Sequence, residues 1–371
     1  MSATALPTLP LTIAQVRAKA ALGFNLLRLA EDADPVWVSN EEKDALIAKR
    51  IRFFDITDVY EPEDAPGFAA MTASTLAAAV TYTAPSHQAE LAPIIATVSL
   101  PSMKNYLNNL TAFNNRYYLA ATGLAASVYI RDTISNITAK YPTSGASVAL
   151  FPHTWLQSSI VAKIPGTNAS GPVTILGAHM DSVGSGTAST ARAPGADDDA
   201  SGASNLMEAF RVLVASGFKP QNPVEFQWYS GEEGGLKGSQ AIAKSYKSAN
   251  KQVKAMLQFD MTAYVKPGTT PVVGLMPDYV DAGLTSFVGS LVLAYTNLKW
   301  VTSTACGYGC SDHASWNAQG YPSALPFESK FTDINPNIHT SADTTSVNGF
   351  SWEHSLEFAK LAVGFAYELA I

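Results

Sequence analysis

From residue 173 onward the chain repeats one pattern. A short apolar run ends in an imidazole or a carboxylate, and a longer run with helical spacing follows. VTILGAH (173–179) reads as a strand buried on both faces, and SGASNLMEAFRVLVASG (201–217) as an amphipathic helix closed by glycine. VEFQWYS (224–230), GSQAIAKSYKSA (238–249) and KAMLQFDM (254–261) continue as strand, helix and strand. Helix 281–295, strand 323–327 and helix 352–369 complete the series, and two helical stretches, 89–96 and 101–138, precede it. Repeated β-α-β crossovers lead to an α/β fold, a mainly parallel central sheet flanked by helices on both faces, because parallel neighbours are joined only by crossing over the sheet.

The first 64 residues have a different character. LTIAQVRAKAALGFNLLRLA (11–30) has apolar groups at near-helical spacing, and VSNEEKDALIAKR (38–50) offers Ser39 or Asn40 as an N-cap with acids in the first turn. IRFFDITD (51–58) reads as a short strand. The stretch EPEDAPGFAAMTASTLAAA (61–79) is rich in Ala, Pro, Gly and Thr and lacks strong patterning, so a protease could enter it. The expected organisation is a small N-terminal α+β segment (1–64), a cleavable linker (65–79) and a catalytic domain (80–371).

Composition narrows the function. A net charge of −7 and the lack of a basic stripe with interleaved aromatics argue against nucleic acid. No stretch reaches the roughly 18 to 20 apolar residues needed to span a bilayer. The start, MSATALPTLPLT, lacks a basic n-region followed by an apolar h-region, so no signal peptide is read in the chain as given. Three sequons, at Asn109, Asn136 and Asn168, suit a secreted glycoprotein. The only cysteines, Cys306 and Cys310, have two glycines between them and can close a small ring, whereas a zinc knuckle needs further Cys or His ligands nearby. A local disulfide is the favoured reading, and it too points outside the cytosol. Nothing suggests an obligate oligomer, so a monomer is expected.

The ends of the apolar runs carry the chemistry. His179 closes the first, and Asp181, two residues on, can reach its other ring nitrogen and fix its tautomer. Asp197, Asp198 and Asp199 stand together before helix 201–217; a helix N-terminus relieves only part of their repulsion, which a multivalent cation would balance. Glu232 and Glu233 follow strand 224–230, so one can hold a metal while the other faces the water that the metal polarises. Asp260 ends strand 254–261, and His339 lies in a polar loop with Asp343 shortly after it. Two imidazoles and three carboxylates suit zinc and are too poor in oxygen for calcium. If one carboxylate bridges, two ions roughly 3.5 to 4 Å apart can act on one hydrolytic transition state. The inferred reaction class is metal-assisted hydrolysis; spacing leaves open which Asp of the triplet bridges. No G-x-S-x-G elbow, H-E-x-x-H helix or phosphate-cradling G-x-x-x-x-G-K-[ST] loop is present to support another chemistry.

GAHMDS, APGADDDASG, SGEEGGLKGS, QFDMT, CGYGCSDHASW, PFESKF and NIHTSADT occur in this order. In this the chain resembles the two-zinc aminopeptidases that include secreted fungal leucine aminopeptidases and a bacterial leucyl aminopeptidase, over roughly residues 80–371. The resemblance implies a zinc-exopeptidase fold with two Zn²⁺ per chain, His179, Asp198 and Asp260 on one ion and Asp198, Glu233 and His339 on the other. It implies Glu232 as general base, Asp181 as the partner of the first imidazole, and Tyr308 as a hydroxyl that helps hold the substrate carbonyl oxygen. The same resemblance has Cys306 joined to Cys310. Met261, Leu325, Phe327, Phe331, Ile334 and Ile338 would line the pocket for the first side chain and favour a large aliphatic residue such as leucine.

Fungal relatives look similar also before residue 80, where a propeptide precedes the mature enzyme. FNLLRLAEDADPVWVSNEEKDALI (24–47) resembles such a segment, which implies a proenzyme whose own propeptide covers the cleft until an activating protease clips near 61–79. The expected substrates are peptides with a free N-terminus. The alternative is a dipeptidase or other exopeptidase on the same fold, since fold alone does not settle the reaction.

Overall fold

The computed structural model describes residues 11–30, 33–49, 51–61 and 81–371. The expected linker 65–79 lies outside them. The N-terminal segment runs α1 (Ile13–Ala20), β1 (Phe24–Arg28), β2 (Val36–Ser39), α2 (Asn40–Ala48) and β3 (Phe54–Asp55). Near-helical spacing over 11–30 suggested one long helix, but α1 stops at Ala20. Gly23, with φ +84°, turns the chain, and FNLLR becomes the middle strand of an antiparallel sheet ordered β2-β1-β3. Ser39 caps α2 in a reciprocal box with Glu42.

Three helices follow, α3 (Gln88–Ile95), α4 (Leu100–Ala112) and α5 (Ala121–Lys140). Then come β4 (Ser147–Phe151), β5 (Ser159–Ile164), β6 (Val173–His179), α6 (Ala200–Ala215), β7 (Val224–Tyr229), α7 (Lys237–Ser248) and β8 (Val253–Gln258). The chain ends with β9 (Val272–Leu275), α8 (Ala282–Tyr295), β10 (Lys299–Thr302), α9 (His313–Ala318), β11 (Ser323–Ala324), β12 (Pro326–Phe327) and α10 (Trp352–Ala370).

The central sheet has the order β11-β8-β6-β7-β5-β4. Its first four strands are parallel, as the crossover pattern requires. β5 and β4 add an antiparallel edge, because a short loop rather than a crossover helix joins them. The single strand expected over 323–327 divides: β11 pairs with β8, while β12 joins a second sheet ordered β10-β9-β12.

Alternation along β6 sends Val173 and Ile175 to a layer with Ile242 and Ala243 of α7 and Trp316 of α9. Leu176 and Ala178 point to the other layer, with Leu206 and Phe210 of α6 and Phe358 and Phe365 of α10. Every residue of β6 is buried, and each large apolar side chain so removed from water contributes about 1.5–3 kcal/mol. This two-sided core fixes the carboxyl ends of β6, β7 and β8 side by side. An open α/β sheet collects its functional groups at such ends.

Candidate metal centre

His179 is the last residue of β6, Glu232 and Glu233 lie in the turn after β7, and Asp260 follows β8. Asp198 enters from the loop before α6 and His339 from the loop before α10. The five ligand candidates and Glu232 are all buried.

Asp198 lies between the two imidazoles. Its Oδ1 is 3.0 Å from His179 Nε2, and its Oδ2 is 3.0 Å from His339 Nε2. Asp260 Oδ1 stands 3.5 Å from His179 Nε2, and Glu233 Oε2 3.1 Å from His339 Nε2. The chain therefore presents two ligand sets, His179/Asp198/Asp260 and Asp198/Glu233/His339, each with its donor atoms within 4.8 Å of one another. The two sets share Asp198. Imidazole with carboxylate is a zinc donor set. His179 Nε2, Asp198 Oδ2, Glu233 Oε1 and Asp260 Oδ1 are buried and have no hydrogen-bond partner among the described residues, which fits atoms placed to hold a cation.

The neighbours of these atoms hold them in position. His179 Nδ1 faces the carbonyl oxygen of Asp181 at 3.2 Å; a carbonyl can only accept, so Nδ1 carries the proton and Nε2 keeps its lone pair for the centre. The Asp181 carboxylate, which the sequence suggested for this task, also faces Nδ1, at 3.6 Å. It accepts the backbone N–H of Glu232 at 3.0 Å and of Glu233 at 3.1 Å as well, so Asp181 sets the turn that aims both glutamates.

Only the middle member of the Asp triplet faces the ligand groups. Asp199 caps α6 through Gly202 N–H and accepts from the backbones of His179 and Met261, which ties together the ends of β6 and β8. Asp197 accepts from Ala263 N–H and from the Asn335 side chain. Asp343 accepts the backbone N–H groups of Asp197 and Asp198. The Asp198–Asp199 peptide bond is cis. Met261 and His339 adopt left-handed φ, both 56°, and backbone of this kind clusters at functional sites.

Two arginines escaped the sequence reading. Arg116, fully buried, donates to the carbonyls of Met180, Pro194 and Gly195 and so braces the loop that carries Asp198. Gly195 has φ +52°, and a Cβ there would collide with that guanidinium and with the Asp198 carbonyl. Arg52, from the N-terminal segment, reaches the second ligand set itself. Neither sits in a motif; each matters only because of distant neighbours.

The centre holds an excess of negative charge. Burial raises the carboxyl of Glu232 well above the ordinary range; Glu233 adds to the rise, while Arg52 and His179 oppose it. Asp343 is raised by burial and by Asp197 and Asp198, and Asp199 by burial and Asp260. Burial works against a charged His339, yet Glu233 and Asp198 outweigh it and Arg52, and push it up to about 9. Divalent cations would neutralise this charge with little desolvated excess.

A cleft opens beside Asp198, Glu232, Asp260 and Tyr308. Its apolar wall is Met261, Met276, Phe327, Phe331, Ile334 and Ile338. Leu325 is a correction: it packs with Met261, Met276 and Phe327 in the buried cluster but does not line the cleft, because it lies where the chain passes from β11 to β12. Met276, just beyond apolar strand β9, takes a place in the wall that the sequence reading did not give it. Tyr308 lies in the loop closed by the Cys306–Cys310 disulfide, whose Cα atoms are 6.4 Å apart. Asn109, Asn136 and Asn168 are all exposed, the first two on helices and the third in a loop.

Known proteins are similar to this chain in sequence and fold. The description "Peptidase family M28" matches residues 159–366. Leucine aminopeptidase 1 of Blastomyces gilchristii is 42% identical over 380 residues, covering 100% of this chain and 96% of its own. Leucine aminopeptidase 1 of Aspergillus oryzae is 42% identical over 346 residues, 90% of this chain and 86% of its own. Among solved structures, the Legionella pneumophila LapA aminopeptidase superposes with a TM-score of 0.80 at 31% identity, covering 96% of each chain. A match over more than half of the sequence, with full-length relatives at this identity, places the chain in peptidase family M28.

Proposed function

We propose that this chain, an aminopeptidase of family M28, releases N-terminal apolar residues from peptides, leucine foremost, with two zinc ions, and that it is secreted as a proenzyme. One observation carries the reading: the two oxygens of Asp198 face two different imidazoles, each flanked by a further carboxylate. His179, Asp198 and Asp260 would hold one ion, and Asp198, Glu233 and His339 the other. Zinc bound there supplies Lewis acidity that activates a water and polarises the scissile carbonyl.

The rest falls to the protein's own groups. Glu232 stands beside the second set without belonging to it, its backbone fixed by Asp181, so its carboxylate is free to take the proton of the attacking water and return it to the leaving amine. Tyr308, which lines the same cleft, can donate its hydroxyl to the carbonyl oxygen. The apolar wall from Met261 to Ile338 receives the first side chain and discriminates by burial, at about 1–3 kcal/mol per step of fit.

Residues 1–64 act as the inhibitory propeptide, an activating protease cuts within 65–79, and residues 80–371 form the mature, monomeric enzyme. The exposed sequons and the disulfide support secretion. The test is hydrolysis of a leucine anilide, with zinc counted, before and after mild proteolysis. A slow rate that rises sharply on clipping, with two zincs in the clipped chain, is expected. Full metal with no hydrolysis in either state would move the reading to a dipeptidase or another exopeptidase.

A further inference from the structure

Arg52 lies in the turn between α2 and β3, and its side chain is only 24% exposed although the turn is on the surface. Its position is set by neighbours on both sides. Ile51 N–H donates to Leu46 O at 3.0 Å, which folds the turn back on α2. Asp55 N–H donates to Gly235 O at 3.1 Å, Gln240 Nε2 to Asp55 O at 3.1 Å, and the Phe54 ring lies against Gly309. The Asp55 carboxylate is held between Lys43 at 2.5 Å and Lys237 at 3.1 Å. These contacts deliver the guanidinium to one place.

That place is the second ligand set. Arg52 Nη2 is 3.0 Å from His339 Nε2, and Nη1 is 3.3 Å from Glu233 Oε2 and 3.7 Å from Glu232 Oε2. His339 Nε2 also faces Asp198 Oδ2 at 3.0 Å and Glu233 Oε2 at 3.1 Å, so the guanidinium stands at the nitrogen that would bind an ion. A zinc ion would bind that nitrogen at about 2.0–2.1 Å. Both cannot occupy that place at once. The first set differs: among the described residues His179 Nε2 and Asp260 Oδ1 have no hydrogen-bond partner, whereas in the second set Arg52 engages His339 Nε2 and Glu233 Oε2 and leaves Asp198 Oδ2 and Glu233 Oε1 without one. The cation therefore occupies part of the second set and none of the first.

We infer that Arg52 is the inhibitory element of the N-terminal segment, and that it acts by taking the position of the second metal ion. The intact chain then holds one zinc tightly, through His179, Asp198 and Asp260, and the second only weakly. Removal of the segment frees His339 and Glu233 and completes the centre. This inference rests on the two-metal reading above.

Competition is reciprocal: whatever factor Arg52 imposes on the second zinc, that zinc imposes on docking of the segment. The experiment is a zinc titration against a chromophoric chelator, into metal-stripped intact chain, intact Arg52→Gln and clipped wild type. The second zinc is expected to bind the intact wild type about 10- to 100-fold more weakly than the other two, within the usual range of coupling between sites. Two equal, tight zincs in the intact wild type would overturn the inference, as would an Arg52→Gln chain that still binds the second zinc as weakly. Should Arg52→Gln not fold, the intact wild type is sufficient. Its cleavage by an added protease must speed up as zinc rises past saturation of the first site, and a rate independent of zinc would refute the competition. Leucine anilide hydrolysis by the clipped chain is measured in parallel. Its failure removes the proposed activity and leaves the metal count standing, while a failed metal count beside good hydrolysis removes only the role of Arg52.

Discussion

In the central sheet, β6 buries every residue from Val173 to His179 against helices on both faces. The N-terminal sheet completes its core only with help from the rest of the chain. Leu26, Trp37, Phe54 and Ile56 pack with Leu236 and Ala314 on one side, and Leu27, Val38 and Phe53 pack with Tyr117, Tyr118 and Val183 on the other. Ion pairs add to these ties to the catalytic part: Asp55 joins Lys43 to Lys237, Lys237 also holds Asp58 at 2.7 Å, and Lys244 holds Glu61 at 2.5 Å. Apolar burial on two faces makes a scaffold that cannot be taken apart piecemeal. A shared core with buried ion pairs makes a segment that docks in one register, since such pairs contribute more to specificity than to net stability. The first arrangement suits a catalytic frame, and the second agrees with the proposed release of the segment.

Substitutions on the two sides of this divide should give opposite results. The largest effect is expected from Glu232→Gln, which keeps shape and removes the base: turnover by the clipped chain should fall about 10²- to 10⁴-fold while its zinc content stays unchanged. Retained activity would take Glu232 out of the proton transfer. On the other side, Asp55→Asn strands Lys43 as an uncompensated buried charge and leaves Lys237 with Asp58 alone, and should weaken docking by about 3 kcal/mol. Faster turnover by the unclipped chain and faster amide exchange in β1 and β3, with the clipped enzyme unaltered, would mark the divide.

The smallest effect is a null result with a sign. Burial works against ionised Asp55, but Lys237 and Lys43 outweigh it and hold its carboxyl well below the usual range. A depressed carboxylate stabilises above its unfolded pKa of about 3.9 and is lost only as pH falls through the folded value, so this contribution is complete at pH 5. Burial likewise opposes a charged Lys237, but Asp55 and Asp58 raise it, so its contribution is present below about pH 10.4 and lost only above that. These pairs by themselves should therefore leave the ratio of unclipped to clipped activity flat from about pH 5 to 9. A rise on mild acidification would show that something other than these ion pairs holds the segment.

Much of the catalytic part was legible in the sequence because its signals are local. An apolar run such as VTILGAH can only be a strand buried on both faces here, and a glycine-flanked acid pair such as Glu232–Glu233 at its neighbour's end has few uses on a surface. The antiparallel edge β4–β5 and the strands β9 and β10 carry weaker patterns and were not read. Helical spacing misled over 11–30, where Gly23 and pairing with β2 override it. The Asp triplet shows the limit at the site: three like residues in a row are equivalent on paper, and only backbone donors from Ala263, Met261 and His179 separate the two supporting carboxylates from the one between the imidazoles.

The sequence by itself determined the sheet type, the metal-binding chemistry and the residue types that supply it, because strand and helix periodicity and ligand preference are properties of neighbouring residues. The tertiary structure alone decided which groups meet. Arg52 and His339 are 287 positions apart, Arg116 and Gly195 79, and Asp55 and Lys237 182. A cation's role depends on the charge and lone pairs around it, and these are brought to it only when the chain has folded.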